Sequence, residues 1–237
     1  MGIVSTPQGR WRGRMWISDT PLAEFETYRR CLDGFGASGL WPVLVPVDLR
    51  FATTDWCDDQ LGRSAVEQVA TRDAAAVMQR WWPGPCCSPA CLAPVGPAFP
   101  GLVRRSSRRG KPDTEAILTA TDIAAKIAVR LALVRVARPA DVLAALGWAG
   151  ARHTTDASAL SAVLRSWEDR FGARLVMLGV DAMVLSVAAA PTTVRRAQGV
   201  AAEHRAFCPD EARRQHEPLA EIAASLLHER SWAFWWD

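Results

Sequence analysis

The sequence predicts an α+β protein with a ferredoxin-like C-terminal domain. Of its 237 residues, 49% are hydrophobic and 22% charged, the balance of a globular chain. From residue 130 onward the predicted order is strand, helices, strand, strand, helices, strand, which is the βαββαβ order of ferredoxin-like domains. We divide the chain into an irregular α+β region at 1–82, a linker at 83–112 and the ferredoxin-like domain at 113–237.

Two strands and a helix are predicted in the N-terminal region. Residues 13–18 and 40–47 have the β-branched and aromatic content of strands. Pro42 and Pro46 cannot donate to a ladder, so the second strand is expected to lie at a sheet edge or to end early. Residues 61–82 carry apolar side chains at helical spacing, and a proline follows them, which predicts a helix.

Residues 83–112 are predicted to be a long linker without regular structure. Six prolines fall between residues 83 and 100, a density that leaves no room for a helix or strand. A basic run without any acid follows, made of Arg104, Arg105, Arg108, Arg109 and Lys111. Loops of this length are usually functional or disordered.

Capping and turn residues bound the elements of the C-terminal domain. Strands are predicted at 130–136, 173–178, 183–189 and 231–236, with a hairpin turn between the middle two. The predicted helices begin at Asp113, at Pro139, at Asp156 or Ser158, at Thr192 or Thr193 and at Pro218. Gly147 and Gly172 are expected to end two of these helices.

Three separated stretches of the C-terminal domain resemble one protein family. They are residues 161–176, 201–210 and 232–237, and Gly39 to Pro42 resembles a motif from the N-terminal half of the same proteins. Together they resemble a bacterial domain-of-unknown-function family, number 4253, over roughly the last 110 residues. The resemblance implies no named activity. Its members are expected to carry Asn and an aromatic residue soon after Cys-Pro-Asp. This chain has Glu211, Ala212, Arg213 and Arg214 there instead.

One cluster of polar side chains has the spacing of a catalytic or metal site, and its members are Glu203, His204, Cys208 and Asp210. His204 and Cys208 lie one helical turn apart, which suits a thiolate–imidazole pair or a metal. They also share their helix face with Val194, Ala197 and Ala201, so the face is expected to enter the core. We favour a structural role, and an enzyme, either a hydrolase or a thiol- or metal-dependent catalyst, is the alternative.

The six cysteines are expected to be free thiols, and no metal or cofactor is predicted. Cys86, Cys87 and Cys91 form a single group, whereas a structural zinc site usually needs two separated pairs. Cys57 or His153 would have to complete that group from a distance. The opening residues lack the apolar core of a secretory signal, which favours a reducing cytoplasm.

Charge and hydropathy argue against two classes of partner. The net charge is +3, but the basic run alone carries five positive charges, so the remainder carries −2. A run of this size, Arg104 to Lys111, supports only weak, non-specific contact with phosphates, and the stacking aromatics of RNA-binding ferredoxin-like domains are missing. The longest apolar run, 182–190, is too short to span a membrane. Neither a nucleic acid nor a membrane is therefore expected.

Tryptophan is unusually frequent, with eleven in the chain. Over 232–236 the aromatic residues occupy both alternating positions of a strand, so one set packs on helices and Trp235 faces outward. Exposed aromatics are enriched at interaction surfaces. The predicted binding residues are Trp167, Trp235, Trp236 and Asp237. Of the two interpretations we favour the one in which the N-terminal half of the chain covers Trp235, since an uncovered strand of this kind promotes aggregation.

Complete catalytic motifs are missing from the sequence. There is no nucleophile elbow, dinucleotide glycine fingerprint, zinc-protease helix or kinase motif set. We therefore predict a non-catalytic cytoplasmic binding module. Its partner would be another protein, or a small ligand in the groove between the two halves of the chain.

Overall fold

The computed structural model describes residues 7–47, 66–85, 89–105, 110–151, 156–209 and 217–236. Their strands form one sheet of seven, in the order β1-β2-β4-β3-β5-β6-β7. The strands are β1 Gly9–Arg12, β2 Met15–Ser18, β3 Leu40–Pro46, β4 Val129–Arg135, β5 Ala173–Leu178, β6 Ala182–Val187 and β7 Ser231–Trp235. Neighbours are antiparallel, except that β3 and β5 are parallel.

The described helices form two separate groups around this sheet. The helices are α1 Phe25–Asp33, α2 Phe35–Ser38, α3 Ala74–Trp81, α4 Pro112–Lys126, α5 Val142–Leu146, α6 Ala157–Phe171, α7 Val194–Phe207 and α8 Leu219–Leu226. One group is α1 and α2 with α4, of which α4 packs on β5 and β6, and the other combines α3, α5, α6, α7 and α8. None of the helices described is long and apolar enough to cross a membrane.

The predicted α+β class is confirmed, but a ferredoxin-like topology is not. The four strands that follow residue 128 are not contiguous in the sheet, because β3 from the N-terminal region lies between β4 and β5. The sheet thus combines strands from both ends of the chain. The division into three regions at 1–82, 83–112 and 113–237 stays a prediction.

The expectation that β3 lies at an edge was wrong. The strand pairs with β4 over its whole length, from Leu40 to Pro46. On its other side it pairs with β5 at only one position, Leu44 opposite Met177, so two missing proline N–H groups remove little pairing. The Trp41 Nε1 bridges the same junction by donating to the carbonyl of Leu175 at 2.8 Å.

Local capping signals placed most helix boundaries well. Gly147 and Gly172 end α5 and α6 with positive φ angles of 59° and 62°, which a glycine adopts without strain. The carboxylate of Asp156 accepts the N–H of Ala159 at 2.9 Å at the start of α6. The hairpin between β5 and β6 also forms, since the N–H of Gly179 donates to the carbonyl of Ala182 at 2.7 Å.

The helix predicted over 61–82 is interrupted. Residues 66–69 are helical, a turn follows, and α3 then begins after Asp73. The Asp73 carboxylate accepts the N–H groups of Ala75 and Ala76 at 2.7 and 3.1 Å, which makes it a new helix cap. Residues 61–65 lie outside the described part of the chain.

Candidate functional site

The predicted catalytic side chains on α7 lie inside the protein. Glu203, His204 and Cys208 are each at most 3% exposed. Ala197 and Ala201 on the same helix are buried with them, as the shared face predicted, whereas Val194 at the start of α7 is 61% exposed and was wrongly assigned to the core. Asp210 lies outside the described residues. The three described members therefore do not line a solvent-filled cleft.

The carboxylate of Glu203 is the centre of a buried hydrogen-bond network. Arg170 donates to it twice, from Nη1 at 2.7 Å and from Nη2 at 2.6 Å. The Nε1 of Trp167 and the backbone N–H of Val103 each donate at 2.7 Å. With four donors the carboxylate is fully engaged, which explains how a charge can be buried here.

His204 and Cys208 contact aromatic residues and backbone. The imidazole ring lies 4.6 Å from the ring of Trp232 and 4.8 Å from that of Phe234. The Cys208 Sγ donates to the carbonyl of Trp235 at 2.9 Å, and the Cys208 N–H donates to the carbonyl of His204. These contacts connect α7 to β7, and they give both side chains a structural explanation.

The predicted binding residues separate into buried and exposed ones. Trp167 and Trp236 are buried, and Trp167 stacks on Phe234 with their ring centroids 5.4 Å apart. Trp235 is 40% exposed, although it lies in the same strand. Asp237 lies outside the described residues. Of the three predicted binding residues that the structure describes, Trp235 is therefore the one at the surface, and the described part of the N-terminal half leaves it exposed.

The strand β7 is the last strand of the described sheet, and half of its backbone groups point away from β6. The N–H of Trp236 donates to Asp181, and the N–H of Val187 donates to the carbonyl of Arg230, both at 2.8 Å. Bonding alternates along an antiparallel pair, so the backbone groups of Ser231, Ala233 and Trp235 point outward. We call these outward groups the β7 edge.

Two groups of the β7 edge already have partners within the chain. The Ser231 N–H donates to the Glu229 carboxylate at 2.9 Å, and the Trp235 carbonyl accepts from Cys208. Ala233 is exposed in the middle of the edge. Its N–H and carbonyl are therefore placed to pair with an incoming strand.

An ion-pair cluster around Glu168 of α6 was not among the predicted sites. Glu168 lies between Arg138 and Arg174, with N–O distances of 3.4 Å to each, and it accepts the N–H of Ala140 at 3.1 Å. Burial raises the pKa of Glu168, even though both arginines oppose the shift. The members come from separate elements, so no local spacing could have indicated them.

The cysteine cluster and the basic run are only partly described. Cys91 is buried in the short 3-10 helix Pro89–Leu92, while Cys57, Cys86, Cys87 and His153 lie outside the described residues. Within the described chain, no group of three His, Cys, Asp or Glu side chains could hold a metal ion. In the basic run, Arg104 accepts a hydrogen bond from Arg196 through its carbonyl at 3.0 Å.

Residues 130–237 match a protein family described as Domain of unknown function (DUF4253). The match begins within β4 and runs to the end of the chain, as the three resembling stretches predicted. It includes α7, β7 and Glu203 with its side-chain donors Arg170 and Trp167, but neither β1 to β3 nor Val103. No curated protein and no solved structure matches the chain.

Proposed function

We propose that the chain is a non-catalytic binding module that takes an extended segment of a protein partner at the β7 edge. The observation that carries the proposal is the position of Trp235. It is the exposed tryptophan of a strand whose neighbouring aromatics, Trp232 and Phe234, are buried. A large apolar side chain beside unpaired backbone groups is the arrangement that strand addition uses.

Backbone and side chains at this edge would have separate tasks. The N–H and carbonyl of Ala233 and the N–H of Trp235 would supply hydrogen bonds, which do not depend on the partner's sequence. The indole of Trp235 would supply apolar contact and therefore selectivity. On β6, Ala182 lies opposite Trp235 and Val184 lies opposite Ala233. Both β6 side chains are half-buried and extend the apolar surface.

The burial of the α7 cluster supports binding over catalysis. A nucleophile must reach its substrate, and a catalytic base must lie within hydrogen-bond reach of it. Glu203 is engaged by four donors, and Cys208 is bonded to the backbone of β7. Both side chains hold structural elements together, which is a structural role and not a catalytic one.

Affinity capture with the full chain as bait tests this proposal. The wild type is compared with Trp235→Ser, which removes the indole, and with Ala233→Pro, which removes one outward N–H but no bond to β6. Trp11→Ser is the matched control, since Trp11 is an exposed tryptophan on β1 at the opposite end of the sheet.

We expect a partner that the wild type and Trp11→Ser capture and that both β7 variants lose. Circular dichroism of each variant shows whether the fold is kept. Capture that survives both β7 substitutions in folded protein would contradict the proposal. If only Trp235→Ser lost the partner, strand addition would be contradicted, and the result would indicate binding through the Trp235 side chain alone.

A further inference from the structure

A second concave surface, unrelated to β7, lies between the two halves of the chain. It has a volume of about 400 Å³ and is bounded by residues 69–74 on one side and by α6 on the other. Its charged lining residues are Arg72, Arg138, Arg165, Asp169 and Arg170. Four guanidinium groups thus line this arginine groove against one carboxylate.

Three of these arginines are held from behind by more deeply buried carboxylates. Arg165 is bound by Asp141 through Nε at 2.5 Å and Nη2 at 2.9 Å, with side chains 25% and 5% exposed. Arg170 and its partner Glu203 are 12% and 0% exposed. In both pairs the arginine lines the groove, and the more deeply buried carboxylate does not.

The third pair has the same orientation. Arg138 is 34% exposed, and Glu168 behind it is 12% exposed at an N–O distance of 3.4 Å. The Nη2 of Arg138 also donates at 2.6 Å to Asp169, the exposed carboxylate of the groove lining. Each of the four groove arginines has a carboxylate partner that balances its formal charge, and these partners also fix the direction of the guanidinium groups. Groups fixed by a supporting layer of partners need little reorganisation when a ligand binds.

Several guanidinium donors of the arginine groove are not used within the described chain. No described residue accepts a hydrogen bond from Nη1 of Arg138 or Arg165, or from Nε and Nη1 of Arg72. The remaining donors of these side chains are engaged with carboxylates or with Gln68. The groove therefore offers donors in fixed positions and few acceptors.

We propose that the arginine groove binds a small polyanion that carries phosphate or carboxylate groups. The planar guanidinium fork matches the oxygens of both groups and binds them in two-point fashion. Low-dielectric walls concentrate the field of like charges in a cleft, and here Val69, Ala74 and Ala162 provide such walls. The volume suits a small molecule.

Calorimetric titration of the full chain with pyrophosphate and with citrate, at matched ionic strength, tests this site. Arg72→Gln and Arg138→Gln each remove one groove guanidinium. Arg195→Gln is the matched control, because it removes an exposed arginine on α7 that does not line the groove. Arg72 pairs with the exposed carboxylate of Asp156, so its substitution should leave the fold intact.

We expect at least one anion to bind, with a preference that tells phosphate from carboxylate ligands. Each groove variant should weaken binding by roughly tenfold, the loss of one charge-assisted contact, and Arg195→Gln should not. The absence of binding by both anions would overturn the proposal. Equal weakening by Arg195→Gln would also overturn it, because the effect would then be one of overall charge.

Discussion

Arg170 and Glu203 form a two-point ion pair in the interior, with N–O distances of 2.7 and 2.6 Å. The same carboxylate accepts hydrogen bonds from Trp167 and from the backbone N–H of Val103. It therefore joins α6, α7 and the segment around Val103, which we call the 103 segment. The Arg170 Nη1 also donates to the Val103 carbonyl at 2.7 Å. One carboxylate thus fixes three parts of the chain relative to each other.

Glu203→Gln should destabilise the protein strongly. The substitution leaves the mostly buried guanidinium of Arg170 without a counter-charge, which typically costs about 3–5 kcal/mol. Urea unfolding followed by tryptophan fluorescence measures the change. Glu221→Gln, at an exposed position of α8, is the control and should stay within about 0.5 kcal/mol of the wild type. Equal stability of both variants would show that Glu203 is not structural.

Gly199→Ala should destabilise the protein although alanine is the better helix former. A Cβ at this position of α7 would lie 2.4 Å from Cγ2 of Val103, so the 103 segment must move. Gly36→Ala in α2 is the control, because a Cβ there meets no atom within 4 Å and gains up to about 1 kcal/mol from helix propensity. A stabilised Gly199→Ala would contradict the packing of Val103 on α7.

Glu168 and Asp156 should affect the pH dependence of stability in opposite directions. Burial raises the pKa of Glu168 above its ordinary value of 4.5, so the folded protein binds this proton more tightly than the unfolded chain does. The free energy of unfolding therefore falls as pH rises from 4.5 through the raised pKa. Burial also acts to raise the pKa of Asp156, but hydrogen bonds from Ser158 and from the N–H of Ala159 lower it below 3.8. The stabilisation that Asp156 contributes is therefore present above pH 3.8 and is lost as pH falls through its lowered pKa.

Unfolding free energies of Glu168→Gln and Asp156→Asn, measured between about pH 2 and pH 7, test both directions. The stability of Glu168→Gln relative to the wild type should rise with pH above 4.5. The deficit of Asp156→Asn should instead grow as pH rises toward 3.8. Curves that run parallel to the wild type would show that neither pKa is shifted.

The boundaries of C-terminal elements could be predicted because their signals are local. Gly172 ends α6 through its own backbone freedom, and Thr193 begins α7 by accepting an N–H three residues away. The inward direction of the α7 face also followed from nearby residues, since Ala197 and Ala201 share it. Asp73 carried the same kind of capping signal and was overlooked.

The sheet order and the charged surfaces could not be predicted, because they depend on contacts distant in sequence. β3 pairs with β4 across more than 80 residues, and the only local signal, its prolines, pointed to an edge. Arg170 and Glu203 are 33 residues apart, and Arg138 and Glu168 belong to different elements. No spacing rule links such residues until the fold brings them together.

The α7 face that carries His204 and Cys208 belongs to the core, and alkylation of the native protein measures whether that face is accessible. Iodoacetamide is added to folded protein at neutral pH, and labelled cysteines are mapped by mass spectrometry. Cys31 is the internal comparison, because it is half-buried and burial raises its pKa, so it should react slowly. We predict that Cys208 stays unlabelled until the protein is denatured. Labelling of Cys208 in the folded protein faster than that of Cys31 would contradict the burial of this face and favour a catalytic thiol.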